Sequence, residues 1–120
     1  MERLVGIRGA TCARSDTKEE VHAATRDLLA ELLRVNGLQP DDIVSIWFTA
    51  TPDLHSAYPA EAARHLGLTQ VALLGAQEID VPGALSRVIR VLVHAYGKGP
   101  AQHVFQREAR GLRPDLTEAT

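Results

Sequence analysis

The chain has 120 residues, 45% of them hydrophobic and 23% charged, with a formal net charge of −2. These values suit one globular domain that buries its own core, and the slight acidity argues against nucleic acid, whose binding needs a basic face. No apolar run approaches the ~18–20 residues of a membrane helix, the start Met1-Glu2-Arg3-Leu4 lacks a secretory core, and the lone Cys12 excludes an internal disulfide and fits a reducing cytoplasm.

In chain order, Leu4 to Ala10 predicts a short strand interrupted by Gly6 and Gly9, which clear space around Arg8. Thr17 to Glu20 has the capping-box pattern, a hydroxyl followed three residues on by Glu. Val21, Ala24, Leu28, Leu32 and Val35 then recur at spacings of three and four, widened by Leu29 and Leu33, and predict a long amphipathic helix closed by Asn36-Gly37. Ile43 to Ala50 is β-branched and aromatic without clean alternation; it predicts a central strand buried on both faces, with Trp47 and Phe48 in the core. Pro59 opens a short helix over Ala60 to Leu66, ended by Gly67. Val71 to Leu74, Val88 to Val93 and His103 to Phe105 predict three further strands, and Leu112 to Leu116 an extended tail. The order is that of an α+β fold: a single domain over 1–120 with a mixed, about five-stranded sheet, one long and one short helix, and a flexible tail at 113–120. One long helix covers only one face of such a sheet, so the other face predicts an oligomer.

Arginine supplies 11 of the 13 basic residues. GC-rich codons explain such a bias; so does a need for planar forks that bind carboxylates. Arg90 is the most informative, because it interrupts an apolar strand where an unpaired guanidinium is costly. It is either half of a structural ion pair or an anion site on a rigid strand. Arg8 sits between glycines, Arg64 among alanines on the short helix, Arg113 before Pro114 in the tail, and Glu78 just after a strand, where sites are often built. The five histidines, His22, His55, His65, His94 and His103, show no zinc spacing, and no nucleophile-elbow, phosphate-loop or dinucleotide motif is present. Cys12 has no evident base beside it and is read as a bystander thiol. Several arginines and one carboxylate suit a small polyanion bearing a hydroxyl, and a reaction that needs only charge stabilisation and restraint.

Gly6 to Thr11, Ala50 to His55 with Tyr58-Pro59-Ala60, Gln77 to Val81, Ile89-Arg90-Val91, His103 to Phe105 and Leu112 to Leu116 together resemble the monofunctional AroH-class chorismate mutases over essentially the whole chain. The resemblance implies a homotrimeric pseudo-α/β-barrel with sites between subunits. It implies a cofactor-free and metal-free conversion of chorismate to prephenate by a Claisen rearrangement in aromatic amino acid biosynthesis. It assigns Arg90 to the ether oxygen of the breaking bond, Glu78 to the ring hydroxyl and Arg8 to the enolpyruvyl carboxylate. Tyr58, Ala60 and Arg64 would form a wall across the interface, with Leu74 and Gly75 beside the hydroxyl, Phe105 against a substrate carboxylate, and Leu112 and Arg113 in a tail that closes the site.

Two positions depart from the family pattern: Phe105 stands where a tyrosine is usual, and Gly75 where a hydrogen-bonding side chain is common. They leave room for an alternative, a non-catalytic trimer that binds small carboxylates. A trimeric imine hydrolase, the third possibility, lacks an extra base among these motifs.

Overall fold

The computed structural model describes residues 2–112. Its strands are β1 (Arg3–Cys12), β2 (Ile43–Ala50), β3 (Ala72–Gln77), β4 (Val88–Gly97) and β5 (Val104–Phe105), and its helices α1 (Lys18–Val35) and α2 (Ala60–His65), with 3-10 turns at Pro40–Asp42 and Arg107–Gly111. Except for those turns, the element order is the one that the sequence predicts. The expected tail beyond Leu112, including Arg113, lies outside the described residues.

The strands form one mixed sheet in the order β3-β2-β4-β1-β5. The β1/β4 and β2/β4 pairs are antiparallel, and β1/β5 and β2/β3 are parallel. Period-2 alternation gives the sheet two unlike faces. On β4, Ile89, Val91, Val93 and Ala95 are buried, whereas Arg90, Leu92, His94 and Tyr96 on the opposite side are not. The first set packs under α1, where Leu28, Leu29 and Leu32 meet Ile7, Ile46, Phe48, Val91 and Val93 in the main core.

α1 forms where its apolar stripe predicts. Thr17 caps it by accepting the Glu20 N–H at 3.3 Å, and Gly37 follows in the left-handed region at φ 62°. Only half of the expected capping box is present, because the Glu20 carboxylate turns instead to the Arg14 N–H and to Arg107.

Three expectations need correction. β2 lies inside the sheet but is buried on one face only, so Phe48 is core while Trp47 is 47% exposed. Trp47 stands opposite Leu92 on the side that α1 leaves open. β3 is an edge strand and mostly exposed, although its apolar sequence reads as a buried strand. Gly9 makes no room for Arg8, because the two lie on opposite faces: a Cβ at Gly9 would meet Leu28, Leu32 and Val91 at 3.1–3.2 Å. Its lack of a side chain lets α1 approach the sheet; Gly6, on the face of Arg8, does leave space beside it.

The face away from α1 carries Leu4, Trp47, Leu74, Leu92 and Tyr96, each at least 37% exposed. Its far end is covered. The Arg107–Gly111 turn brings Ala109 against Ala10, Cys12, Val88 and Phe105, with Leu112 packed alongside. No helix among the described residues is long and apolar enough to cross a membrane.

Candidate functional site

Sheet register assembles the site. Ala76 on β3 pairs with Thr49 on β2, Thr49 with Arg90 on β4, Arg90 with Ala10 on β1, and Ala10 with Phe105 on β5. Directly opposed residues point the same way, so this row crosses the whole open face. Glu78 continues the parity of Leu74 and Ala76, and its N–H donates to Ala50 O at 2.9 Å, extending the parallel ladder just past β3. Its carboxylate therefore reaches back over β2 to β4. Arg8 is two residues along β1 from Ala10, on the diagonal to Arg90 across the same face.

The Arg90 Nε–H donates to Glu78 Oε2 at 2.9 Å, with the side chains 35% and 16% exposed. The Thr49 hydroxyl donates to the same oxygen at 2.8 Å. Both readings of Arg90 therefore hold in part. It is ion-paired, yet the pair uses the Nε edge of the guanidinium and leaves the terminal nitrogens, an anion-binding fork, on the open face. Arg90 is not a charge in the core, because the apolar run around it belongs to two different faces.

The surrounding backbone is held by polar clamps. The Asp53 carboxylate accepts the Arg87 N–H at 2.9 and 3.2 Å, and Arg87 Nε donates to Ala13 O at 3.0 Å. These contacts hold Arg87 at φ 53°, a left-handed conformation rare outside glycine, three residues before Arg90. The Thr51 hydroxyl accepts the Val88 N–H at 2.9 Å. On β1, the Arg8 N–H donates to His103 Nδ1 at 2.9 Å, so the imidazole carries the β5 edge one position further.

The remaining predicted residues divide into two places. Phe105 is buried beside Ala10 with Leu112 packed near it, in the covered end of the open face. Tyr58, Ala60, Arg64 and Gly75 instead line a cleft of about 920 Å³ between α2, the loop before it and the ends of β2 and β3, together with Thr49 and Glu61. Arg8, Glu78, Arg90 and Phe105 do not line that cleft. Leu74 is on the open face, opposite Trp47 and 54% exposed. Within one protomer the wall residues and the Glu78–Arg90 pair thus form two half-sites that meet at Thr49, which lines the cleft and donates to Glu78.

The loop that carries Tyr58 is pinned by Asp16, whose Oδ1 accepts the N–H groups of His55 at 3.1 Å and Ser56 at 3.0 Å. Asp16 Oδ2 also lies 3.2 Å from His55 Nδ1. Although desolvation opposes it, the donors from Ser56 and His55 hold this carboxyl below its ordinary value. In the cleft wall, Glu61 is likewise held low, first by its contact with His22 Nε2 at 3.3 Å.

Thr49 and Asp16 are among the polar residues at these half-sites that the motifs do not single out. Thr49 carries a periodic signal in the sequence, since it shares with Ser45 and Trp47 the non-core parity of β2. Its partner depends on strand register, which the sequence leaves open. No cluster of metal-ligating side chains occurs among the described residues.

Known proteins resemble this chain along nearly its whole length. A family profile described as chorismate mutase type I matches residues 4–116. The chain is 50% identical over 118 residues to a chorismate mutase AroH of Thermus thermophilus, covering 95% of this chain and 97% of that protein. It is 40% identical over 116 residues to a chorismate mutase AroH of Bacillus subtilis (strain 168), covering 93% and 91%. Among solved structures, a chorismate mutase from Clostridium thermocellum superposes with a TM-score of 0.87 at 44% identity, covering 89% of this chain and 98% of that one.

Proposed function

The chain belongs to the type I chorismate mutase family and is an isomerase that converts chorismate to prephenate in aromatic amino acid biosynthesis; we propose that it does so through Arg90, Glu78 and Arg8 in a site completed by a neighbouring subunit. The observation that carries this reading is the Glu78–Arg90 pair on the open sheet face, joined through Nε alone.

Chorismate is a dianion with a ring hydroxyl. In the rearrangement the ether C–O bond breaks as a new C–C bond forms, and negative charge grows on the ether oxygen. The terminal nitrogens of Arg90 meet that oxygen. A guanidinium already fixed by Glu78 stabilises the developing charge more than the neutral ether, which is the differential that accelerates the step. Glu78 accepts the ring hydroxyl and Arg8 takes the enolpyruvyl carboxylate. No proton transfer to the protein and no covalent intermediate is required, so the protein contributes charge and restraint.

Two features support a homotrimer with shared sites. The face bearing the pair is apolar beside it, with Leu4, Trp47, Leu74, Leu92 and Tyr96 exposed in the protomer. The lining of the second half-site, with Tyr58, Ala60, Arg64 and Gly75, does not include the pair of the same chain, so a subunit that packs on the open face can bring its own wall to Arg90. Leu74 and Gly75 border the ring hydroxyl, and Phe105 and Leu112 close the far side. The setting is cytoplasmic.

Replacing Arg90 with Ala tests the mechanism. Loss of chorismate absorbance should slow by several orders of magnitude in kcat/KM while the oligomer stays intact by light scattering. A variant that keeps wild-type turnover would remove Arg90 from the mechanism. Wild-type protein that binds chorismate without converting it would instead favour the carboxylate-binding trimer suggested by Phe105 and Gly75.

A further inference from the structure

Thr49 faces Arg90 directly across the β2/β4 pair. Its hydroxyl has one proton to give, and that proton goes to Glu78 Oε2 at 2.8 Å. The same oxygen receives the Arg90 Nε–H at 2.9 Å. One carboxylate oxygen therefore takes two donors from two adjacent strands, and the other is left to accept from a ligand.

Glu78 needs such a hold. It stands beyond the end of β3, anchored by its own N–H to Ala50 O, on an edge strand that is mostly exposed. Its side chain has three rotatable bonds. The contact with Arg90 alone acts as a pivot, because either oxygen can meet Nε after rotation of the carboxylate. A second donor on a stiff, β-branched residue in the middle of the sheet removes that freedom.

We infer that Thr49 is a positioning residue for the rearrangement. It fixes Glu78 with Oε2 toward β4 and Oε1 toward the ring hydroxyl of the substrate, and through Glu78 it holds the Arg90 fork with its terminal nitrogens outward. The inference rests on the assignment of Glu78 and Arg90 to the active site. Its physical basis is that a catalytic group must be held to within about 0.5 Å of its productive position by contacts that do not touch the substrate.

The test uses the full chain in four backgrounds: Thr49→Val, Thr49→Ser, Glu78→Ala and the Thr49→Val/Glu78→Ala double variant. Thr49→Val should lower kcat/KM about 10–100-fold, the usual cost of a slightly misplaced group, with the thermal midpoint and oligomeric state kept. Thr49→Ser, which restores the donor, should recover most of the loss. In the Glu78→Ala background Thr49→Val should cost nothing further, because the hydroxyl then has no carboxylate to hold. If Val disturbs the packing of β2, Thr49→Ala serves in the same cycle.

Wild-type kinetics in Thr49→Val would overturn the inference. So would an equal loss with and without Glu78, which marks a merely structural residue. Wild-type activity in Glu78→Ala would overturn the site assignment itself, and this inference with it.

Discussion

Phe105 ends the row of residues that crosses the open face, next to Ala10 and two strands from Arg90. The ring packs among Ala10, Cys12, Val88 and Ala109, so it keeps the structural part of a tyrosine's role but has no hydroxyl to donate. A hydrogen bond to a charged group contributes ~1.5–3 kcal/mol, and one made to a substrate carboxylate exists in ground and transition states alike. Phe105→Tyr should therefore lower KM and leave kcat nearly unchanged, as initial rates over a range of chorismate concentrations would reveal. An unchanged KM would mean that the ring edge does not face the ligand. Cys12, in the same cluster, is a thiol pushed up by burial and by Glu108, which agrees with the sequence reading of an unreactive bystander.

Two elements are tied down by carboxylates outside the sheet. Glu20, on the first turn of α1, accepts from the Arg14 N–H at 2.9 Å and from Arg107 Nη1 at 2.8 Å. Arg107 also donates to Cys12 O at 2.6 Å and holds a positive φ of 56°. Glu20 thus links the start of α1 to the C-terminal turn that covers Phe105. The Arg14 N–H, with Arg107 in addition and desolvation opposing, holds this carboxyl below its ordinary value near 4.5. A depressed carboxyl stabilises the fold fully above its unfolded value and loses that contribution as pH falls toward the folded one. Glu20→Gln should consequently lower the thermal midpoint at pH 7, and the gap to wild type should close as pH falls below the ordinary carboxyl value of 4.5. Melting curves across that range decide the matter; a constant gap would mean that Glu20 acts through packing and not through its charge. The Asp16 clamp on His55 and Ser56 does the corresponding work for the loop that carries Tyr58.

At the scale of the whole molecule, the proposed trimer would cover the open face. Trp47 and Leu92 face each other across β2 and β4, both partly exposed. If subunits close over them, Leu92→Glu puts a charge into an apolar contact. It should convert trimers to monomers in sedimentation, shift the emission of Trp47, the one tryptophan in the chain, to longer wavelength, and abolish activity by separating the half-sites. An unchanged mass and spectrum would place the contact elsewhere. The sequence by itself determined the element order, the amphipathic α1 with its cap and left-handed stop, and the family, because periodicity, turn chemistry and spaced motifs are local signals. It also picked out Arg90 and Glu78. Only the tertiary structure decided what those residues meet. Apolar runs with interior polar residues, such as β2 and β4, read alike whether one face or both are buried, so Trp47 passed for core and Arg90 for a buried charge. Register between strands distant in sequence is set by pairing, and it alone brought Thr49 to Arg90 and Glu78 and set Ala10 and Phe105 in the same row.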